Sequence, residues 1–161
     1  MKERLVVIGG DAAGMAAASA ARRGRPNVDD LHIVAFERGS VTSYSACGIP
    51  YRVAGIVASP DDLVARTPEE FRTDHAIDAR IRHEVTGIDL ASRTVEVRDL
   101  DERRTFTEPF DLLMVGTGAR PTRPPLPGID LDHIHGVQTI EDGERLLRHA
   151  KEIGCRKVVV V

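Results

Sequence analysis

Residues 5–14 read LVVIGGDAAG, and this stretch decides the fold of the first part of the chain. Residues 5–8 are apolar without interruption, which is typical of a strand buried on both faces of a sheet. Two glycines end the run, and the alanine-rich residues 12–23 that follow favour a helix. A second apolar run, residues 32–37, predicts another strand. Strand, glycine turn, helix and strand together predict a parallel βαβ unit and an α/β fold.

The glycine turn has the pattern of a dinucleotide-binding loop. Such a loop needs one glycine for the tight turn, a second where the backbone approaches a pyrophosphate, and a third where helix packs on strand. Gly9 and Gly14 occupy the first and third positions, and Asp11 stands at the second. A carboxylate there would repel a pyrophosphate unless it pointed away. The free N–H groups at the start of the helix, from Ala12 and Ala13 onward, are expected to bind the phosphates.

An acidic residue at the end of the second strand completes this pattern. Glu37 lies 23 residues after Gly14 and is placed to bind a ribose hydroxyl. A glycine turn that serves packing alone is the alternative. The preceding strand, the following helix and the spacing of the acid favour the nucleotide site.

Residues 43–51, SYSACGIPY, form a second motif around Cys47. Gly48 and Pro50 follow it near a predicted helix start, where the helix dipole favours a thiolate. No second cysteine lies nearby, so Cys47 can cycle only through a mixed disulfide with a small thiol or through a sulfenic acid. The alternative is a buried, unreactive cysteine. The neighbouring nucleotide-binding pattern favours the reactive one.

The middle of the chain predicts a change of strand pattern. Residues 67–70, TPEE, predict a helix start with Thr67 as N-cap and Glu70 completing a capping box. Residues 78–108 shift toward period two, which predicts an antiparallel β excursion with residues 85–90 and 94–98 as partners.

The last third predicts three further elements. Residues 111–115 predict a buried strand closed by residues 116–118, GTG. Residues 140–154 fit an amphipathic helix with a glycine at its C-terminal end. Residues 157–161 predict one more strand, and Cys155 before it is expected to be structural.

Length and composition exclude several classes of protein. The 161 residues suit one domain, and 42% hydrophobic with 29% charged residues argue against disorder. A net charge of −3 provides no basic field for nucleic acid, and no apolar run is long enough for a membrane helix. Two cysteines do not make a secreted disulfide framework, so a cytoplasmic location is expected.

A loop that contains histidines and aspartates is a weaker candidate for a metal site. His133 and His135 lie close to Asp130 and Asp132, but in a Pro- and Gly-rich segment without the spacing of helical metal ligands. A solvated loop is favoured, and no metal is predicted.

These motifs together resemble the start of a flavoprotein of the pyridine nucleotide–disulfide oxidoreductase superfamily. The resemblance rests on residues 7–15, on Glu37 and on residues 43–51, and residues 110–121 are similar to the superfamily's second FAD signature. The similarity is greatest to its single-cysteine branch, which contains coenzyme A-disulfide reductases, NADH oxidases, NADH peroxidases and persulfide reductases.

The resemblance implies an enzyme in which NAD(P)H reduces FAD, FAD reduces Cys47, and Cys47 reduces a small-molecule disulfide or persulfide such as coenzyme A disulfide. It implies a homodimer for the complete enzyme. Cys47 is the implied catalytic residue, and Arg22, Ser43 and Cys47 are the implied substrate contacts. The implied FAD contacts are Gly9, Asp11, Ala12, Ala13, Gly14, Glu37, Arg38, Ser43, Thr117 and Gly118.

The resemblance also implies that residues 1–156 are the N-terminal portion of a FAD-binding domain and that residues 157–161 begin an otherwise absent NAD(P)-binding domain. Two alternatives stay open. The chain is a non-catalytic FAD-binding fragment, or the enzyme is an NADH oxidase or peroxidase that uses a cysteine sulfenic acid. The reduced substrate and the choice between NADH and NADPH also stay open.

Overall fold

The computed structural model describes residues 2–160 and divides them into two compact units. The first unit comprises residues 2–44 and 64–118, and the second comprises residues 45–63 and 119–160. The elements in chain order are β1 (Glu3–Ile8), α1 (Ala12–Gly24), β2 (Leu31–Phe36), α2 (Ile49–Val53), α3 (Pro68–His75), β3 (Ile77–Arg80), β4 (His83–Asp89), β5 (Thr94–Asp99), β6 (Arg104–Pro109), β7 (Leu112–Val115) and α4 (Ile140–Glu152). Two 3₁₀ turns cover Ala46–Gly48 and Pro60–Leu63.

A four-stranded parallel sheet forms the centre of the first unit. Its strand order is β3-β2-β1-β7, so the strand that precedes the glycine turn lies between two others. Leu5 and Val7 project to the face covered by Met15 of α1 and Phe71 of α3. The intervening residues of β1 pack on the other face. The prediction of a strand buried on both sides, followed by a parallel crossover, is confirmed.

The three-stranded antiparallel sheet β4-β5-β6 is the predicted excursion. Val95 and Val97 of β5 are fully buried against the parallel sheet. The prediction began the excursion too early, because residues 77–80 form β3 of the parallel sheet. The cause is the helix α3, which returns the chain so that Ile77 and Ala79 pack beside β2.

Side-chain caps mark the starts of α3 and α4, and a glycine follows the end of α4. Thr67 and Glu70 form the predicted capping box of α3. A second box, which the sequence reading missed, joins Thr139 and Asp142 at the start of α4. Helix α4 ends at Glu152, and Gly154 with φ +59° lies just beyond it, where a left-handed residue closes a helix.

The predicted strand over residues 157–161 is wrong for residues 157–160, which adopt no regular structure; Val161 lies outside the described residues. Val158, Val159 and Val160 are 71%, 85% and 91% exposed. A strand forms only where another strand accepts its backbone hydrogen bonds, and none pairs with these residues in the part of the chain described. Cys155, expected to be structural, is also exposed.

Across residues 2–160, every helix is too short or too polar to cross a membrane.

Candidate functional site

Three glycines permit a close crossing of backbone at the carboxyl end of β1. Gly9 has φ +106°, and a Cβ added to it would lie 2.2 Å from the carbonyl oxygen of Gly116. A Cβ added to Gly14 would lie 1.8 Å from the carbonyl oxygen of Gly9. The N–H of Gly116 donates to Ile8 at 2.7 Å. Strand, helix and the chain leaving β7 therefore meet at a point that has no room for side chains.

The side chain of Asp11 does not cap the helix that it precedes. Asp11 is the N-cap residue of α1, but its carboxylate makes no hydrogen bond to the first turn. Its Oδ1 instead accepts from the backbone N–H of Tyr44 at 3.3 Å. Ala12 and Ala13 are exposed, so the first turn of α1 is open to solvent. The N–H groups of the first turn are therefore not occupied by the Asp11 carboxylate, and they stay available to an anion.

Glu37 is fastened to the glycine turn by its own carboxylate. Its Oε2 accepts from the N–H of Gly10 at 2.7 Å, and its Oε1 accepts from the N–H of Gly39 at 2.6 Å. A Cβ added to Gly10 would lie 2.6 Å from the Cβ of Glu37. Each carboxylate oxygen retains acceptor capacity for a further donor such as a hydroxyl.

Gly10, Gly39 and Gly116 also shape this turn, and they are not among the site residues predicted from the sequence. For Gly10 the available signal was a second glycine directly after a buried strand. For Gly116 the requirement comes from a tertiary contact, since it lies against Gly9 and Gly14. Gly39 instead makes a local contact, because its N–H donates to Glu37 two residues earlier.

Several other predicted residues lie around this turn. Ser43 has φ +49° and is held on both sides, since its N–H donates to Gly10 at 2.9 Å and its carbonyl accepts from Ala65 at 2.8 Å. The backbone nitrogen of Thr117 lies 3.5 Å from the Cβ position of Gly9. Gly118, with φ +66°, borders open space. Arg38 directs its guanidinium to Glu84, with Nη1 4.0 Å from Oε1.

Arg22 does not belong to this group. It lies at the opposite end of α1, about 15 Å along the helix from Asp11. Its guanidinium donates to the carbonyl oxygens of Leu31 at 2.9 Å and Ala76 at 3.0 Å. In this structure Arg22 joins the end of α1 to the start of β2 and to the residue that closes α3.

Cys47 lies in the second unit, on the 3₁₀ turn directly before α2, and is exposed and free. Leu63 fixes this turn. Its carbonyl accepts from the N–H of Ser45 at 2.8 Å, and its Cδ2 would lie 2.4 Å from a Cβ added to Gly48. Helix α2 packs closely on α4 at Gly143, where a Cβ would lie 2.6 Å from Ile49. The thiol therefore stands on a fixed turn and is accessible to a solute.

The loop that contains Asp130, Asp132 and His135 lines a cleft of about 780 Å³ within the second unit. The ring of His135 lies 5.0 Å from that of His149. Burial, followed by the charge of His149, lowers the pKa of His135 below its ordinary value. Within residues 2–160, no three His, Cys, Asp or Glu side chains are arranged to hold a metal ion.

Residues 3–161 match the sequence profile of the family described as pyridine nucleotide-disulphide oxidoreductase. The chain belongs to this family. FAD is the usual cofactor of the family.

Relatives among curated proteins carry activities of this oxidoreductase family. The chain is 38% identical over 159 residues to an NADH oxidase of Methanocaldococcus jannaschii. This alignment covers 98% of this chain and 34% of that protein. It is 32% identical to the NAD(P)H coenzyme A polysulfide/persulfide reductase of Pyrococcus horikoshii, over 100% of this chain and 34% of that protein. The chain thus spans about a third of the length of these relatives.

A solved structure of the same oxidoreductase family shares the fold. Reduced Bacillus anthracis CoADR-RHD superposes with a TM-score of 0.89 at 27% identity, over 96% of this chain and 27% of that one. The α/β fold with its parallel sheet and antiparallel excursion is therefore that of a known oxidoreductase.

Proposed function

We propose that this chain binds FAD through its first unit and, in the complete enzyme, serves the transfer of electrons from NAD(P)H to a small-molecule disulfide or persulfide through Cys47. The observation that carries the proposal is the position of the Glu37 carboxylate, which is held by the N–H of Gly10 beside the open first turn of α1.

The residues present fit the adenosine diphosphate half of the cofactor. Gly9 and Gly14 let the backbone approach a pyrophosphate, and the N–H groups at Ala12 and Ala13 would bind it. Glu37 would accept a hydrogen bond from a ribose hydroxyl. Four further residues named above would lie near the same turn: Arg38, Ser43, Thr117 and Gly118. A bound FAD supplies two-electron redox chemistry between a nicotinamide and a thiol.

Cys47 supplies the nucleophile of the proposed reaction. Its thiolate attacks one sulfur of a disulfide, so that a bond from Cys47 Sγ to that sulfur forms and the other half leaves as a thiolate. Two electrons from NAD(P)H then cleave the mixed disulfide, release the second thiol and regenerate the Cys47 thiolate. Coenzyme A disulfide is one candidate substrate, because relatives of this chain are named for coenzyme A.

We extend the proposal to the organisation of the whole protein. Residues 1–156 belong to the FAD-binding domain, and residues 157–161 lead into the NAD(P)-binding domain. The complete enzyme is a cytoplasmic homodimer. Arg22 as a substrate contact stays a prediction, and its hydrogen bonds to backbone carbonyl oxygens argue for a structural role.

A second candidate is an NADH oxidase or peroxidase in which Cys47 cycles through a sulfenic acid. The exposed, unpaired thiol and the 38% identity to an NADH oxidase favour it. Here a peroxide would transfer one oxygen to the thiolate and release water or hydroxide.

Flavin binding tests the first part of the proposal. FAD added to the purified chain should bind and retain flavin absorption bands after gel filtration. Glu37→Gln should weaken binding about ten-fold, because a hydrogen bond to a charged acceptor is lost. Glu69→Gln, at an exposed carboxylate of α3, is the matched control and should bind as the unchanged chain does. Absence of flavin from the unchanged chain would refute the proposal. A complete enzyme that binds flavin but consumes no NAD(P)H would favour the non-catalytic alternative.

The two cysteines provide a matched pair for the chemistry, since both are exposed and free. In the complete enzyme, Cys47→Ser should abolish disulfide-dependent NAD(P)H oxidation, whereas Cys155→Ser should retain it. Mass spectrometry of the oxidised protein separates the two candidate functions. A mixed disulfide on Cys47 supports disulfide reduction, and a sulfenic acid supports the oxidase or peroxidase. Full turnover by Cys47→Ser would exclude both.

A further inference from the structure

The backbone of Glu37 is held by a turn that the proposed chemistry does not use. Its N–H donates to the carbonyl of Arg80 at 2.8 Å, and its own carbonyl accepts from the N–H of His83 at 2.8 Å. The N–H of Arg82 donates to Gly39 at 2.9 Å. Arg82 has φ +58°, so the turn between β3 and β4 is unusual and must be fixed by its surroundings. The position of Glu37 therefore depends on the shape of this turn.

The imidazole of His83 stabilises the turn between β3 and β4 through a hydrogen bond to its backbone. Its Nδ1 donates to the carbonyl of Ile81, with 2.7 Å between the two atoms. Its ring stacks on Phe36, with centroids 6.1 Å apart and planes at 24°, and meets Phe106 edge-on at 6.0 Å. Phe36 directly precedes Glu37, so the same ring supports both the turn and the end of β2.

The Nε2 side of the imidazole faces the carboxylate of Asp99, which is buried and hydrogen-bonded. Asp99 Oδ2 lies 3.7 Å from His83 Nε2, and Asp99 is only 4% exposed. Its Oδ1 accepts from the N–H groups of Asp101 and Glu102, each at 3.0 Å. The N–H of Leu100 donates to the carbonyl of Arg82 at 2.8 Å. The turn between β5 and β6 is thus tied through His83 to the loop that carries Glu37.

We propose that His83 is a positioning residue for dinucleotide binding, which holds the turn over residues 80–83 so that the Glu37 carboxylate meets the ribose. This inference rests on the proposed function, in which Glu37 binds a ribose hydroxyl. The carboxylate is anchored at Gly10 and Gly39 as well, and a binding group must be held within about 0.5 Å to act. Loss of the His83 contacts shifts the Glu37 backbone and misaligns its carboxylate.

The test measures recognition of one hydroxyl rather than overall stability. The probes are ADP and 2′-deoxy-ADP, and the readout is the ratio of their dissociation constants on the chain. The unchanged chain should prefer ADP about ten-fold, because the Glu37 carboxylate accepts a hydrogen bond from the 2′-hydroxyl. His83→Phe keeps a ring between the two phenylalanines but removes both polar contacts, and should bring the ratio close to one.

Rescue and coupling variants complete the experiment. His83→Asn retains a donor at the place of Nδ1 and should restore most of the preference. Glu37→Gln combined with His83→Phe should lose no more preference than Glu37→Gln alone, since the two residues act through one contact. Thr105→Ala, at an exposed position of β6, is the control and should keep the full ratio.

The outcomes are distinct. If His83→Phe weakens both probes equally and the ten-fold ratio persists, His83 has a structural role only and the inference is overturned. If the unchanged chain binds FAD but does not prefer ADP, the ribose assignment of Glu37 fails, and the inference fails with it. If the unchanged chain binds no FAD at all, the proposed function itself is refuted.

Discussion

At the scale of single residues, the glycine turn has no room for a Cβ atom at its closest backbone crossings. Gly14 and Gly24 both belong to α1, yet their surroundings differ completely. A Cβ on Gly14 would lie 1.8 Å from a carbonyl oxygen, whereas a Cβ on Gly24 would have no atom within 4 Å beyond its chain neighbours and the adjacent backbone of its own helix. The same substitution at the two positions therefore separates the requirement for close approach from the general cost of a glycine in a helix.

Gly14→Ala should destabilise the fold by about 3 kcal/mol and abolish flavin binding, because the helix must move away from β1. Gly24→Ala should raise stability by about 0.5 kcal/mol, since alanine restricts the unfolded chain and meets no obstacle. Urea unfolding of both variants and flavin retention measure the two effects. A Gly14→Ala chain that retained stability and flavin would contradict the geometry of the crossing.

Much of this residue-level site could be predicted from the sequence. Gly9, Gly14 and Glu37 follow from spacing along a βαβ unit, since each role belongs to a local turn or to the end of a neighbouring strand. The direction of the Asp11 side chain could not be predicted, because the N–H that it binds belongs to Tyr44, 33 residues away. Partners of that kind exist only once the chain has folded.

At the scale of elements, buried or hydrogen-bonded carboxylates fix the turns and helix starts. Asp99 at the end of β5 is the central case. Hydrogen bonds from the backbone of Glu102, and then of Asp101, hold the pKa of Asp99 below its ordinary value of 3.8, although burial opposes them. The pKa of Glu70 is lowered below its ordinary value of 4.5 by hydrogen bonds from the backbone and side chain of Thr67.

These lowered pKa values predict acid sensitivity. A carboxyl whose pKa is lower in the folded state adds stability above its unfolded pKa, and this contribution is lost as the pH falls through the folded pKa. For Asp99 the loss begins near its ordinary value of 3.8. Asp99→Asn should therefore lower the urea midpoint at neutral pH, and its difference from the unchanged chain should shrink as the pH falls below 3.8.

Asp101→Asn is the control in the same turn. Its carboxylate is 67% exposed and pairs with Arg82 at 3.2 Å, an arrangement that adds little stability at a surface. Its urea midpoint should follow that of the unchanged chain at every pH. A difference for Asp99→Asn that stayed constant with pH would show that the Asp99 carboxyl does not titrate differently on folding.

The elements themselves were largely predictable where their signals are local. The capping box of α3 and the glycine after α4 were read correctly, because caps depend on residues within one turn of the helix end. The assignment of β3 was wrong because four residues with alternating burial look alike in either kind of sheet. Only the crossover through α3 makes Ile77 and Ala79 neighbours of β2.

At the scale of the whole molecule, the two units differ in what they contribute to the proposed function. The first holds the glycine turn, Glu37 and both sheets, and its core covers both faces of β1. The second holds Cys47 and its supporting helices. Large apolar side chains remain exposed in both, including Val115 at 53% and Leu126 at 59%. The chain spans about a third of the length of its relatives.

The sequence by itself determined the βαβ start and the antiparallel excursion, and it predicts a nucleotide-binding pattern and a reactive role for Cys47. These features can be predicted from hydrophobic periodicity, from glycine spacing and from the motif at residues 43–51, because each signal lies within a short stretch of chain. Only the tertiary structure decided that Asp11 accepts from Tyr44, that Arg22 donates to three backbone carbonyl oxygens, and that the N–H of His83 donates to Glu37. These outcomes depend on hydrogen-bond partners distant in sequence, which come within reach only when strands and turns have packed.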